Sequence, residues 1–254
     1  MSIFLNGQKA NDIYLNGQKI QSAFYNGEKI FDKGNGIPDL SNLGDENMSF
    51  NVSISAANQT FRFKGHNWQS GSYIEWGDGT TTNNLTNTTA ATGPIKTYAQ
   101  AGVYRFKMYG HCTGLDYGYG NINNAPPGVN AVDADGNKIT GKMIVKLDKT
   151  VNPPYVFGPS IKLNELITNL ASDRTWQDIT CPKVTLYDLT TIKTIAFHRA
   201  VIPDLYVLSV ITTIGTYNFE HSTYTNLYIN KNNTGINVAN KTWFGFTWKS
   251  ITLI

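Results

Sequence analysis

Thr191-Ile192-Lys193-Thr194-Ile195-Ala196-Phe197, followed by Leu205-Tyr206-Val207, returns 22 residues later as Thr213-Ile214-Gly215-Thr216-Tyr217-Asn218-Phe219, followed by Leu227-Tyr228-Ile229. Asp204 returns as Asn226 at the same spacing. A weaker copy precedes these two, with Leu170, Trp176 and Val184-Thr185-Leu186. Another follows, with Ile236, Trp243 and Ile251-Thr252-Leu253. Apolar residues that return at a fixed period of this size, separated by small and polar ones, mark a stack of coils. The pattern predicts a β-solenoid of about four coils over residues 160–254. Such a stack presents an extended surface and points to binding before chemistry.

The rest of the composition agrees with an all-β chain. Charged residues make up 15% of the sequence, against roughly 25% in ordinary soluble proteins. Asn and Thr fill the gap, with 28 of each. Thr and the aromatics favour strands, and Asn and Gly favour turns. The best amphipathic helical pattern, Ile161 to Ser172, is short. A net charge of +3 with no basic run argues against a nucleic-acid partner. No apolar run approaches the roughly 20 residues of a membrane-spanning helix. Cys112 and Cys181 are too few for a disulfide framework and read as free thiols. The opening Met1-Ser2-Ile3-Phe4-Leu5-Asn6-Gly7 has neither a basic region nor an apolar one, so a signal peptide is not expected. That leads to the expectation of a chain made and folded in a cytoplasm.

A shorter repeat opens the chain. Ile3-Phe4-Leu5-Asn6-Gly7-Gln8-Lys9 is followed by Ile13-Tyr14-Leu15-Asn16-Gly17-Gln18-Lys19, then by Ala23-Phe24-Tyr25-Asn26-Gly27-Glu28-Lys29, at a period of 10. Asn-Gly between short strands signals a type I′ hairpin, because both central residues need positive φ. Residues 1–33 therefore read as hairpin repeats, too small to bury a core of their own. They fit either a flap on the next domain or a docking segment ordered by a larger assembly. Residues 34–46, with Gly34-Asn35-Gly36 and Pro38, read as a linker.

From 47 to 112 the chain alternates strand and turn. Phe50-Asn51-Val52-Ser53-Ile54 and Tyr104-Arg105-Phe106-Lys107-Met108 have period 2, and Tyr73-Ile74-Glu75-Trp76 runs into Gly77-Asp78-Gly79. Trp76 is expected in the core, Gly79 where a Cβ is disfavoured, and Asp78 as the turn cap. Trp76-Gly77-Asp78-Gly79, with Tyr98, Gly102 and Tyr104 later, resembles the polycystic-kidney-disease (PKD) domain family. Lys96 stands where that family usually has His. The resemblance covers about 60 residues and implies an immunoglobulin-like β-sandwich that serves as spacer or adhesion module, without catalysis.

Residues 113–159, rich in Gly, Pro and Asn, read as a connector with a hairpin at Ala131 to Ile139. Asp133-Ala134-Asp135-Gly136-Asn137 has the start of a calcium loop, but position twelve is Ile144 where a bidentate Glu is needed.

Ile211-Thr212-Thr213-Ile214-Gly215-Thr216-Tyr217-Asn218-Phe219, then Leu227-Tyr228-Ile229, resembles the BspA-like leucine-rich repeat. A PKD-like module followed by such repeats is familiar in bacterial surface proteins and in phage virion proteins. Side chains alternate along a strand, so Leu205 and Val207 face inward and Tyr206 faces out. Thr185, Tyr206, Tyr228 and Thr252 are then expected as a stripe on the exposed sheet face. The stripe reads either as a contact for a glycan or protein, or as cross-strand pairing that only stabilises the sheet.

No catalytic, metal or cofactor motif stands out. His66, His111, His198 and His221 are scattered; His111 adjoins Cys112, and His198 and His221 lie 23 apart, near equivalent coil positions, but neither of these two has a carboxylate or Cys at ligand spacing. Gly-rich phosphate loops, Gly-x-Ser-x-Gly and Cys-x-x-Cys are absent. The function expected from the sequence is therefore that of a phage virion structural protein. It would be a fibre, spike or head or tail decoration protein, docked to other virion proteins through residues 1–33 and displaying adhesion modules to a host-surface glycan or protein. A bacterial cell-surface adhesin is the alternative, and a carbohydrate-active enzyme the distant one. Ile251-Thr252-Leu253-Ile254 lacks a polar cap, which leads to the expectation of a homo-oligomer, most simply a trimer. Folding of Trp243-Phe244-Gly245-Phe246-Thr247-Trp248 over the coil end is the other solution.

Overall fold

In a computed structural model of the 254-residue chain, the described residues are 43–63, 65–85, 93–115, 139–147 and 162–254, with 38, 40 and 41 and the short backbone segments between 4 and 32 named next. The chain divides into two compact units, 1–40 and 41–254. In the first, β1 (Phe4–Leu5) pairs antiparallel with β2 (Gln8–Lys9), β3 (Ile13–Leu15) with β4 (Gln18–Ile20), and β5 (Ser22–Tyr25) with β6 (Glu28–Asp32). The three Asn-Gly turns expected between them lie outside the described residues.

The second unit contains strands and no helix among the described residues. Its first half holds β7 (Met48–Ile54), β8 (Gln59–Arg62), β9 (Gly65–Trp68), β10 (Tyr73–Glu75), β11 (Thr81–Thr82), β12 (Ile95–Tyr98), β13 (Gly102–Tyr109), β14 (Cys112–Leu115) and β15 (Ile139–Val145). Its second half holds β16 (Lys162–Thr168), β17 (Lys183–Leu186), β18 (Thr191–Ile192), β19 (Val201–Val207), β20 (Thr213–Ile214), β21 (Thr223–Ile229), β22 (Ile236–Asn237), β23 (Thr242–Trp243), β24 (Phe246–Thr247) and β25 (Ser250–Leu253). The short helical pattern at Ile161 to Ser172 thus yields a strand.

One ten-stranded sheet runs through both halves, in the order β11-β10-β13-β7-β15-β16-β17-β19-β21-β25. Pairing is antiparallel from β11 to β15 and parallel from β15 to β25. β15 is the hinge of this architecture, and it comes from the stretch that composition marks as a connector. The antiparallel half hydrogen-bonds one of its edges and the solenoid the other. Ile139, Met143 and Val145 are fully buried, which is why the segment is a core strand despite its Gly/Pro-rich surroundings. Gly141 sits at a register shift with φ of 74°, and a Cβ there would meet Asn51 Nδ2 at 2.5 Å. Arg105 ties β13, β7 and β15 together by donating to Ser49 Oγ at 2.6 Å and to the Lys142 carbonyl at 2.7 Å. Just beyond β15, Asn169 accepts from the Leu147 amide at 2.9 Å and donates to the Leu147 carbonyl at 2.8 Å. The hairpin expected from Ala131 and the loop at Asp133 to Asn137 lie outside the described residues.

In the antiparallel half, alternation drives burial. Met48, Phe50, Val52 and Ile54 of β7 are buried, while Asn51 and Ser53 are partly exposed. Phe50 and Phe106 stack at 4.5 Å, and Phe61 from β8 meets both edge-on at 6.1 and 6.2 Å. Trp76 closes this aromatic core at 5.7 Å from Phe106. Its turn is fixed by three contacts. The Trp76 carbonyl accepts from the Tyr98 hydroxyl at 3.0 Å, the indole N–H donates to Thr82 Oγ1 at 2.8 Å, and Asp78 accepts from the Thr80 amide at 3.1 Å. Gly77 and Gly79 hold φ of 85° and 84°. A Cβ on Gly77 would lie 2.6 Å from the Arg105 backbone. Lys96 bonds Thr80 Oγ1 and pairs with Asp78, both at 2.7 Å. Burial alone would raise the Asp78 carboxyl, but Lys96 and Thr80 hold it below its ordinary value. Tyr104 stacks on Tyr98 at 4.3 Å.

In the solenoid, β16, β17, β19, β21 and β25 are the parallel strands of about four coils. Val184 pairs with Leu205, Leu205 with Leu227 and Leu227 with Ile251, so the coil lengths are 21, 22 and 24 residues. The backbone repeats the same offsets. Left-handed residues recur at Arg174, Ile195 and Tyr217, and again at Asp178, Arg199 and His221, each spaced by 21 and then 22. The degenerate first coil therefore bends at the same two places as the others. A positive φ is costly for Ile195, and coil stacking imposes it. Asn supplies hydrogen bonds between coils. Asn230 donates to the Leu208 carbonyl at 3.0 Å, and Asn233 accepts from the Ile211 amide at 2.6 Å while donating to the Ser209 carbonyl at 2.8 Å.

The far end of the stack carries an aromatic cap. β22, β23 and β24 form a small antiparallel sheet. Trp243, Phe246 and Trp248 gather around Phe219 at 6.2, 5.3 and 5.8 Å. The aromatic segment thus packs on the preceding coil through Phe219, while β25 keeps Leu253 49% exposed.

Candidate functional site

The parallel pairing places Thr185, Tyr206, Tyr228 and Thr252 side by side in one row across β17, β19, β21 and β25. The row exists in the expected register, but its exposure is graded. Thr185 is 0% exposed and Tyr206 5%. Tyr228 is half-buried and Thr252 exposed. The expectation of four solvent-facing residues is therefore corrected: the accessible part is Tyr228 and Thr252. Alternation fixes which face a side chain takes, not how deeply its neighbours bury it.

Part of the cover on Tyr206 is evident. Its ring stacks on Tyr228 at 4.3 Å and 6° between planes. Lys183 Nζ lies 5.4 Å from its centroid, within cation–π range. Burial, with Tyr228 and Asp204 adding to it, pushes the Tyr206 hydroxyl up to about 12. It remains a protonated donor at any physiological pH.

A polar row runs beside the aromatic one. Lys183, Asp204, Asn226 and Ser250 are paired strand to strand. Asn226 Nδ2 donates to Asp204 at 2.7 Å, and Ser250 donates to Asn226 Oδ1 at 2.7 Å. Glu165 lies 3.2 Å from Lys183 and 3.4 Å from Lys142. Chemically, the surface offers one partly exposed tyrosine flanked by amide and hydroxyl groups. That combination suits the apolar face and hydroxyl rim of a sugar, or a peptide side chain.

Elsewhere the described residues offer little for nucleophilic chemistry. Cys112 and Cys181 are free and buried, and burial pushes both thiols up to about 12, away from the reactive thiolate. One cluster was not foreseen. Ligand atoms of His198, Glu220 and His221 lie within 4.8 Å of one another. The signal was present in the period: position 198 plus 22 is 220, so Glu220 stacks over His198 in the next coil. The near-equivalence of His198 and His221 is legible at 23 residues, but the carboxylate sits at the exact offset of 22, one residue before His221.

No protein-family model, curated protein or solved structure matches the chain.

Proposed function

We propose that the chain is a phage virion structural protein, a fibre, spike or head or tail decoration. It docks to other virion proteins through residues 1–33 and holds residues 41–254 out toward a host-surface glycan or protein. The observation that carries this reading is the row ending in Tyr228 and Thr252, a partly exposed tyrosine beside a hydrogen-bonded polar ladder. Division of the chain into a small N-terminal unit and one large body supports separate docking and display roles. The resemblance of the Trp76 turn to PKD-type sandwiches, and of the coils to BspA-like repeats, supports it as well, since both modules serve adhesion. The reading includes a homo-oligomer, a trimer in a fibre. Its contact runs along the outer edge of β25, where Leu253 is 49% exposed.

The test uses two proteins beside the full chain. Residues 41–254 alone are expected to keep host-cell attachment and lose incorporation into particles. Full-length Tyr228→Ala is expected to incorporate normally and attach at least about tenfold more weakly, the loss of one aromatic anchor worth more than about 1.4 kcal/mol. Tyr228 is chosen over Tyr206 because truncating the buried ring would also destabilise the sheet. Normal incorporation of the truncated chain contradicts the docking role, and unchanged attachment by Tyr228→Ala contradicts the display face. Full-length protein found on a bacterial envelope supports the adhesin, and glycan cleavage by the purified protein supports the enzyme.

A further inference from the structure

We propose that the coil corner formed by His198, Glu220 and His221 binds a divalent transition-metal ion, with Zn2+ the best match to its donors. The inference is independent of the virion reading. The coil period creates the site. Gln177, His198 and Glu220 occupy equivalent positions in successive coils, and Asp178, Arg199 and His221 occupy the next. Backbone bonds confirm this stacking, with the Asp178 amide donating to the His198 carbonyl at 2.9 Å and the Arg199 amide to the Glu220 carbonyl at 3.0 Å. His198 and Glu220 therefore stand one above the other. His221, left-handed at φ of 56°, lies at the bend beside Glu220. The two imidazole centroids are 5.6 Å apart with planes at 87°.

Two imidazoles and a carboxylate make a donor set that Zn2+ accepts, whereas Ca2+ and Mg2+ prefer all-oxygen surroundings. Donors about 2.0–2.2 Å from a tetrahedral ion lie roughly 3.3 Å apart. Ligand atoms within 4.8 Å need only side-chain rotation to close, and Glu220 and His221 are exposed and free to make it. His198 is the anchored member. Its Nδ1 is shielded from solvent and has no hydrogen-bond partner among the described residues. A buried ring nitrogen left in that state is costly, and a metal ion ligated by Nδ1 would remove the cost. The neighbouring Arg199 does not spoil the site, because Asp178 takes its guanidinium in two bonds of 2.6 and 2.7 Å. Three protein ligands leave a coordination position open for water or for a partner's carboxylate or imidazole.

The full-length chain, stripped with a chelator, is titrated with Zn2+ by calorimetry and with Co2+ by visible absorption. One ion per chain with a micromolar Kd is expected, together with tetrahedral-type Co2+ bands and a raised melting temperature in Zn2+. His198→Ala and His221→Asn are each expected to weaken Zn2+ binding by about a hundredfold and to abolish the Co2+ bands. Asn is used at 221 because it tolerates the left-handed backbone. The metal-free melting temperatures of both variants are compared with wild type to separate lost ligation from lost folding. A Cys112→Ser, Cys181→Ser double variant is expected to bind as wild type, which excludes the thiols. Absence of Zn2+ binding at millimolar concentration overturns the proposal. So does Zn2+ binding that His198→Ala and His221→Asn leave unchanged.

Discussion

Trp76→Ala is expected to destabilise the 41–254 unit by about 3–5 kcal/mol, the range for truncating a large buried aromatic. The ring is 1% exposed and packs edge-on against Phe61 at 6.5 Å and Phe106 at 5.7 Å. Alanine leaves a cavity bounded by these two rings, and the turn cannot collapse into it. The Tyr98 hydroxyl holds the Trp76 carbonyl at 3.0 Å, and Gly77 already lies against the Arg105 backbone. The indole's bond to Thr82 Oγ1 is lost as well. Urea titration measures the change. A loss below about 1 kcal/mol would mean that the ring contributes little core.

Phe219→Ala is expected to cost about as much, about 3–5 kcal/mol, with a second consequence that Trp76→Ala lacks. Phe219 is 2% exposed and sits between the coil stack and its cap. It stacks on Phe197 at 5.7 Å and 5°, and it is the ring that Trp243, Phe246 and Trp248 share. Trp248 has a further anchor in Tyr224 at 4.2 Å, so the cap loosens without leaving entirely. Loosening bares the apolar end of the last coil, and the variant is expected to self-associate more strongly than wild type. Denaturant titration gives the first quantity and sedimentation velocity over a concentration series the second. A variant as stable as wild type and unchanged in sedimentation would show that the aromatic cluster is not what closes the solenoid.

The coil stack was legible because its apolar positions recur in the linear sequence, so Leu205 and Leu227 could be paired by counting. The tight turn was legible because Trp76-Gly77-Asp78-Gly79 is local, with each residue's role set by its immediate neighbours. What depends on distant partners was not. Ile139 to Val145 carries a strand's apolar residues, but its burial needs β7 on one side and β16 on the other, and composition marked it as connector. Thr185 and Tyr206 were placed on the correct row and wrongly in solvent, because depth of burial is a tertiary quantity. His198 and Glu220 look unrelated until the coil length is applied as a ruler.

The strand Ile139–Val145 also bears the central claim, that residues 41–254 form one body whose antiparallel and parallel halves share a sheet. A display role draws on this continuity, because a face on β21 and β25 is then held in fixed orientation to the rest of the unit. Native-state hydrogen exchange tests it most directly. The account predicts that amides of Met143 to Val145 and of Leu166 to Thr168 exchange only in the same global opening as Phe50 to Val52 and Leu205 to Val207, with equal opening free energies. Exchange at Met143 to Val145 and Leu166 to Thr168 faster by orders of magnitude than in both flanking sets would contradict it, and would make the chain two domains on a connector.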